Sequence, residues 1–378
     1  MSHEHLGERA RLAWAAIDHA PDAGIPTWLI NPMEWCMIDR LAGAPEDSYA
    51  RDPVTTYRRM FEEVGVCLVD QWIPENPLSM GHQGYEGAVP GTTTGAREIV
   101  CDGMVIDSPE AVVAHLERVE FPRLQAAACS FDEDARAGEI LTEEVKIQRL
   151  LGPNMLKTGY GYLWFPTLAY GTYGYESYFM AFALYPEVIE RHFALQADLA
   201  LRNNRAAARA VRTGALPPLF RLDHDMADSR GTLVRIEALD RLWFPHFARS
   251  LAPVLNDEMT LIWHCDGNLS QLAPRLLEVG ISGFQGFQYE DGMDYPAICR
   301  LKTRNGAAPF IIAGVSVTRT LPYGTPADVK QELRWLVEHG PRTGLVLGAS
   351  SSITPEAPWE NLQMLVEGLA YYRARGRS

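Results

Sequence analysis

The feature that most constrains the fold is a repeated unit of a short apolar run, a polar exit and a helix. The clearest example is the run from Met259 to Trp263, which ends in His264-Cys-Asp-Gly267. A nearly continuous apolar run is typical of a strand buried on both faces of a parallel sheet. Strands that alternate with helical patterns indicate βαβ units. The sequence therefore predicts an α/β protein whose strands end in polar side chains.

Eight such runs predict eight strands. They cover residues 26–31, 66–69, 160–167, 216–225, 259–263, 283–287, 310–315 and 344–348. Eight strands alternating with helices predict a (β/α)8 TIM barrel, in which the loops after the strands converge at one end and carry the active site. We therefore expect a single domain over residues 1–378. The alternative is a doubly wound open sheet, but the first strand is not followed by a Gly-x-Gly-x-x-Gly turn.

One long segment, residues 73–150, interrupts this rhythm between the second and third predicted strands. It contains a glycine-rich stretch from Gly81 to Gly95, a predicted hairpin turn at Asp102-Gly103, and a helix start at Ser108-Pro109. A segment of this length is more typical of an elaborated insertion than of a bare loop. We expect it to form a lid over the carboxyl ends of the strands.

Charge and cysteine usage limit the class of partner. The net charge of −14 disfavours nucleic acid or an anionic membrane as the main partner, because both require a cationic surface. Apolar runs fall short of the roughly 20 residues that span a bilayer. The six cysteines form no Cys-x-x-Cys pair, and the first residues show no basic-then-apolar leader pattern. We expect a cytoplasmic protein with reduced thiols and a small-molecule substrate, and the oligomeric state stays open.

The candidate catalytic residues follow the fourth and fifth predicted strands. Side chains alternate between the two faces of a strand, so His264 and Asp266 share one face and Cys265 points to the other. Asp223 and Asp225 share a face in the same way, and two neighbouring carboxylates suit proton transfer. We assign catalysis to these four residues. The simpler alternatives are a hydrogen-bonded structural histidine and aspartates that solvate a loop.

Imidazole and carboxylate side chains also suit a divalent metal. Glu290 follows the sixth predicted strand, and His264, Asp266 and Glu290 are the predicted ligands. The alternative is a metal-free acid–base pair of His264 and Asp266. Seven further residues at the strand exits are predicted to contact substrate: Trp28, Glu34, Gln71, Tyr162, Arg221, Gln288 and Ser351.

The second half of the chain resembles a known family. His264-Cys-Asp-Gly-Asn268, followed by Leu276-Leu-Glu-Val-Gly280, is similar to the H-x-C-G-N … L-x-E-x-G region of the uroporphyrinogen decarboxylase superfamily. The similarity continues through Gly314-Val-Ser-Val, Leu321-Pro-Tyr-Gly-Thr-Pro326 and Leu347-Gly-Ala-Ser-Ser-Ser-Ile353, with Asn361 near the end. This resemblance implies a single TIM barrel.

The superfamily has two branches. True uroporphyrinogen decarboxylases hold substrate carboxylates with an M-R-Q-A-G-R segment, whereas residues 32–40 here offer only Arg40 as a cation, beside Glu34 and Asp39. The methyltransferase branch binds zinc through H-x-C and a later cysteine. At those positions this chain has Asp266 and Ser351, so the resemblance implies a divalent metal, zinc or another, on oxygen ligands. It also implies a corrinoid protein or a folate as methyl carrier.

Three functions follow from these observations. The leading interpretation is a methyltransferase or demethylase acting on a small, partly apolar substrate at the carboxyl ends of the strands. The second is a non-oxidative decarboxylase of a small carboxylic acid, with Arg40 or Arg221 holding the carboxylate. The third is a non-catalytic ligand-binding homologue that has lost the thiolate ligands.

Overall fold

A computed structural model of the chain describes residues 6–21, 24–28, 31–74, 99–286, 288–355 and 357–377. The glycine-rich stretch from Gly81 to Gly95 lies outside these residues, as do positions 29 and 30 of the first predicted strand. Among the described residues, no helix is both long enough and apolar enough to cross a membrane.

The described helices occur singly or in groups between the strands. They are Glu8–Ile17 (α1), Trp35–Leu41 (α2), Ser48–Arg51 (α3), Pro53–Val64 (α4), Pro109–His115 (α5), Phe121–Ser130 (α6), Glu133–Leu151 (α7), Tyr170–Tyr173 (α8), Tyr175–Leu184 (α9), Pro186–Gly214 (α10), Ile236–Leu242 (α11), Phe244–Leu255 (α12), Leu272–Val279 (α13), Tyr295–Arg300 (α14), Thr320–Tyr323 (α15), Pro326–His339 (α16) and Trp359–Arg375 (α17). A π-helical turn, Leu116–Glu120, joins α5 to α6, and a 3-10 turn covers Tyr289–Asp291.

The described strands are short and mostly buried. They are Leu68–Val69 (β1), Val100–Cys101 (β2), Met104–Val105 (β3), Leu156–Lys157 (β4), Gly159–Tyr160 (β5), Leu219–Asp223 (β6), Ala227–Asp228 (β7), Gly231–Thr232 (β8), Thr260–His264 (β9), Gly283–Gln285 (β10), Phe310–Val315 (β11) and Leu345–Ala349 (β12). Six of them form one sheet in the order β12-β11-β10-β9-β6-β5, and every pair in it is parallel.

This sheet forms a half-barrel with its helices outside, as the α/β rhythm of the sequence predicts. Further parallel pairs continue the sheet beyond both ends. β1 pairs with β4, and isolated bridges pair Thr27 with Leu347 of β12 and Trp28 with Leu68 of β1. The strand register places Asp223 beside His264, and His264 beside Gln285. Three polar side chains therefore stand in a row at the carboxyl ends of neighbouring strands.

The side chains of β9 alternate between a face that packs in the core and a face that carries the site. Trp263 is fully buried and packs with its ring centroid 5.4 Å from that of Phe247 and 6.0 Å from that of Trp243, both on the helical side. Cys265 is buried as well, and His264 points to the opposite face. Burying aromatic rings of this size supplies much of the apolar contact that holds α12 against the sheet. The core thus fixes which face of the strand presents the imidazole.

Helix α16 begins with a capping box. The Thr325 hydroxyl accepts from the Asp328 amide, the Asp328 carboxylate accepts from the Thr325 amide, and Pro326 occupies the first turn. These bonds satisfy amides that the helix itself leaves without a partner. The helix ends at His339, and the Gly340 amide closes it on the Leu336 carbonyl.

The third strand differs from the prediction. It is formed by β4 and β5, residues 156–160, not by residues 160–167, which form a loop except for Tyr160. Gly161 has φ of +78°, a conformation that ends an extended strand. Side-chain amides of α10 then take over the backbone bonds of the loop: Asn203 donates to the Tyr162 carbonyl, and Asn204 both accepts from and donates to Trp164. The aromatic residues suggested a strand, but α10 determines the conformation.

The described part of the segment between the second and third strands contains the hairpin and the helix start that were predicted for it. β2 and β3 form an antiparallel hairpin that turns at Asp102-Gly103, and Ser108 caps α5. Helix α7 packs along α10 and reaches the sheet through a buried ion pair, Glu144 Oε2 to Lys157 Nζ at 3.0 Å. Its action as a lid stays a prediction.

Candidate active site

The site is built around His264, the last residue of β9. Its imidazole is nearly buried, and its two nitrogens face different environments. Nδ1 lies 2.5 Å from Oε1 of Gln285 on β10. Nε2 lies 3.8 Å from Asp223 Oδ1 and 3.9 Å from Asp266 Oδ1. These two separations are too long for hydrogen bonds, so Nε2 faces two carboxylates without bonding to either.

Asp225 joins the same group from the loop after β6. The Asp266 amide donates to Asp225 Oδ1 at 3.0 Å, which ties the two loops together. Ligand atoms of Asp225, His264 and Asp266 all lie within 4.8 Å of one another. One nitrogen and two oxygen donors this close together are a set of side chains that could hold a small cation.

Burial raises the pKa of the Asp266 carboxyl to about 6. His264 opposes the rise, whereas Asp225, Asp223 and Glu290 add to it by repulsion. Asp266 Oδ1 is buried and accepts no hydrogen bond from the described residues. A buried carboxylate oxygen without a donor is costly, and a cation would relieve that cost.

Glu290 is a further carboxylate near Asp266. Its Oε1 accepts from the hydroxyls of Ser316 and Thr318, the latter at 2.6 Å. Its Oε2 is buried and, like Asp266 Oδ1, receives no donor from the described part of the chain. Glu290 is close enough to raise the pKa of Asp266, but the compact group of ligand atoms contains Asp225 in its place.

Arg221 lies at the centre of a hydrogen-bond network beside His264. It is buried, donates to Asp70 Oδ2 through Nε, and donates to Asp223 Oδ2 through Nη1 at 3.1 Å. Trp28 and Tyr160 complete this network: the Trp28 indole donates to Asp70 at 3.1 Å, and the Tyr160 hydroxyl donates to Asp223 at 3.0 Å. The guanidinium is therefore engaged by protein carboxylates.

Burial and Arg221 set the charge state of Asp70. Burial alone would raise the pKa of the Asp70 carboxyl, but the guanidinium more than offsets it, so the pKa lies below its ordinary value. Burial and the nearby Asp223 carboxylate raise the pKa of Tyr160 to about 12. Tyr160 therefore stays a hydrogen-bond donor at neutral pH.

Cys265 faces away from this group, as strand alternation predicts. Its sulfur accepts from the Met226 amide at 3.3 Å, and burial raises the pKa of its thiol to about 12. A neutral buried thiol is neither a nucleophile nor a metal ligand. All six cysteines are free.

The remaining predicted substrate contacts lie at three places around the centre. Gln71 and Tyr162 line a cavity of about 720 Å³ that also reaches Asp70 and Tyr160. Gln288 accepts from the Gly267 amide at 2.9 Å, in the loop that follows His264.

Glu34 and Ser351 sit in neighbouring chain segments. Pro32 forms a parallel bridge with Ile353, and the Asn31 side chain donates to the Ser352 hydroxyl at 3.0 Å. Glu34 follows Pro32 by two residues, and Ser351 directly precedes Ser352. No hydrogen bond among those described joins Ser351 to His264 or Asp266.

Sequence reasoning did not select two residues of the centre. Asp70 directly follows the second predicted strand, and Gln285 lies within the sixth predicted strand. The signal for Gln285 was available: an amide in the otherwise apolar Gly283-Phe-Gln285 needs a buried partner. Asp70 gave no comparable signal, because its partner Arg221 is remote in sequence.

Comparisons with known proteins agree with this fold. Residues 224–371 match the family model described as uroporphyrinogen decarboxylase (URO-D). A solved methyltransferase from Methanosarcina mazei superposes with a TM-score of 0.55 at 16% identity, covering 96% of this chain and 98% of that one. Comparison with curated protein sequences gave no match. The resemblance drawn from the sequence is thus confirmed: residues 224–371 carry the uroporphyrinogen decarboxylase family match, and the chain shares the fold of a methyltransferase.

Proposed function

We propose that this chain is a metal-dependent methyltransferase or demethylase that acts on a small, partly apolar substrate. One observation carries the proposal: the Nε2 face of His264 and two carboxylates converge without bonding to one another. Nε2 lies 3.8 Å and 3.9 Å from its carboxylate neighbours, and Asp266 Oδ1 has no donor among the described residues. The fold shared with a methyltransferase supports the reaction class.

The donor set fits a divalent cation. His264, Asp225 and Asp266 would hold it, and Glu290, with its own unpartnered Oε2, would complete or adjust the shell. One imidazole with carboxylates suits zinc, iron or manganese, whereas thiolates would favour zinc. When bound, the cation would supply a Lewis acid that lowers the pKa of a thiol or hydroxyl acceptor.

The chain's own residues would prepare the substrate. Asp223 accepts from Tyr160 and Arg221 through Oδ2, which leaves Oδ1 directed at the centre to receive a proton from an acceptor. Tyr160 and Tyr162 give the adjoining cavity aromatic walls, and Gln71 adds an amide. Such a mixture suits a small substrate with an apolar body and one polar group.

We also propose that the parallel pairs close a complete (β/α)8 barrel. Residues 27–28 would be its first strand, between β12 and β1, and β4–β5 its third, between β1 and β6. Residues 73–150 would then be an elaborated insertion between the second and third strands. A corrinoid protein or a folate would bring the methyl group to the carboxyl ends of the strands.

A methyl-transfer assay tests the function. Zinc-loaded protein would be mixed with methylcob(III)alamin and a small thiol, and in parallel with methyltetrahydrofolate. We expect the alkyl–cobalt absorbance to fall while methylated thiol and cob(I)alamin form. Asp266→Asn should abolish this turnover, and Asp228→Asn, which changes a partly exposed aspartate of the β7–β8 turn, should leave it unchanged. Wild-type protein inactive with both donors would count against the proposal.

The decarboxylase alternative has less support. Its carboxylate-holding residues were Arg40 and Arg221. Arg40 lies 4.0 Å above the ring of Trp359 in α17, and Arg221 already bonds two protein carboxylates. The same methyl-transfer assay distinguishes the non-catalytic alternative from the methyltransferase proposal.

A further inference from the structure

We propose that Gln285 is a positioning residue that fixes His264 in one tautomer, with hydrogen on Nδ1 and the Nε2 lone pair facing the carboxylates. Gln285 belongs to none of the roles assigned above, and it is 1% exposed. Its side chain stands between His264 and two other fixed groups. The tautomer matters because only a nitrogen without hydrogen can bind a metal or accept a proton.

The orientation of the Gln285 amide is fixed from both ends. One end lies 2.8 Å from the Ser350 carbonyl, which can only accept, so that end must be the NH2 group. The other end lies 3.5 Å from Arg221 Nη1, which can only donate, so that end must be the oxygen. Two independent neighbours therefore require the same orientation.

The same oxygen lies 2.5 Å from His264 Nδ1. Two acceptors at that distance would repel, so Nδ1 must carry a hydrogen. In the neutral ring, Nε2 is then left with its lone pair, directed towards Asp223 and Asp266. Without Gln285 the opposite tautomer would be preferred, because the two carboxylates would attract an Nε2–H electrostatically.

Gly286 reserves the space that the ring occupies. A Cβ built at this residue would lie 2.3 Å from His264 Nδ1 and 2.5 Å from Cε1, and its φ is +88°. Any side chain there would push the imidazole off the Gln285 oxygen. The Gln285-Gly286 pair thus sets both the proton position and the place of the ring.

The consequence for metal binding rests on the proposed function, but the tautomer does not. Metal-binding histidines usually donate their second N–H to an oxygen acceptor, and loss of that acceptor weakens metal binding by roughly 10- to 100-fold. We expect the same loss of zinc affinity when Gln285 can no longer accept.

The experiment reads the tautomer directly in metal-free protein. Histidine labelled with 15N shows whether each ring nitrogen carries hydrogen, and a His264→Asn variant assigns the signals. The spectra are taken well above the ordinary imidazole pKa of about 6.5. Gln285→Leu removes the acceptor, and Gln285→Glu keeps one. Asn361→Leu removes a buried amide that bonds the Leu321 and Gly324 carbonyls, away from the site, and serves as the matched control.

We expect hydrogen on Nδ1 in wild type, Gln285→Glu and Asn361→Leu, and hydrogen on Nε2 or a mixture in Gln285→Leu. Titration with zinc should show a 10- to 100-fold weaker Kd for Gln285→Leu only. Hydrogen on Nε2 in wild type overturns the proposal, as does an unchanged spectrum in Gln285→Leu. If that variant does not fold, loss of the Nδ1 hydrogen in Gln285→Glu overturns it. A tautomer that follows Gln285 in protein that binds no zinc supports the positioning role and refutes the metal.

Discussion

Replacing Arg221 by methionine should strongly destabilise the fold. Methionine keeps the apolar stem but removes the charge that Asp70 and Asp223 share. The side chains of Arg221 and Asp70 are 4% and 3% exposed, so water cannot replace the lost partner of Asp70. Removing one member of a buried pair costs about 3–5 kcal/mol, because a buried charge is left uncompensated. Asp223 is 32% exposed and should contribute little to this loss.

The deficit should depend on pH in a defined direction. In wild type the pKa of Asp70 lies below its ordinary value, so its contribution to stability is present above the unfolded pKa of about 4. That contribution is lost as pH falls through the lower folded value. In the variant, burial without Arg221 raises the pKa of the Asp70 carboxyl instead. The difference between variant and wild type should therefore be largest near neutral pH and shrink towards pH 4.

Urea unfolding at several pH values measures this difference. Asp70→Asn combined with Arg221→Met should recover part of the stability, since no buried charge then remains on that residue. Arg334→Ala removes an exposed partner of Glu338 and should behave like wild type. If Arg221→Met were as stable as Arg334→Ala at neutral pH, the account of the Arg221 network would be wrong.

Two further predictions concern buried groups. Burial lowers the pKa of His192 to about 4, so its stabilising effect is present above pH 6.5 and lost as pH falls towards 4. Between pH 7 and pH 4, the free energy of unfolding of His192→Phe should fall by about 3 kcal/mol less than that of wild type. Urea unfolding measures this difference, and an equal fall in both proteins would contradict the prediction. Because the pKa of Cys265 is raised to about 12, Cys265→Ser should keep its turnover, and the native thiol should react slowly in thiol titration. Complete loss of turnover in that variant would show that the thiol takes part.

The sequence predicted well what depends on local pattern. The strand at Phe310–Val315 was predicted with its observed bounds, and the predicted helix start at Ser108-Pro109 is the start of α5. Alternation correctly put His264 and Asp266 on one face and Cys265 on the other. These features depend on side-chain periodicity and short-range hydrogen bonds, which the sequence contains directly.

What the sequence did not predict depends on contacts between distant segments. The third strand was misplaced because Gly161 and the α10 amides, not aromatic propensity, decide its end. The pairing of Asp70 with Arg221 joins residues 151 positions apart. The role of Gln285 follows from three neighbours on three different strands or loops. Such relations require the arrangement of the strands, not only their order.

The central claim is that His264 and its neighbouring carboxylates hold a divalent metal needed for activity. The most direct test is elemental analysis, with turnover, of wild type, His264→Ala and Ser351→Ala purified without chelator. The account predicts a divalent metal in wild type and in Ser351→Ala, because a neutral hydroxyl is a poor ligand, and loss of both metal and turnover in His264→Ala. Active wild-type protein that contains no metal would contradict the claim and leave His264 and Asp266 as an acid–base pair.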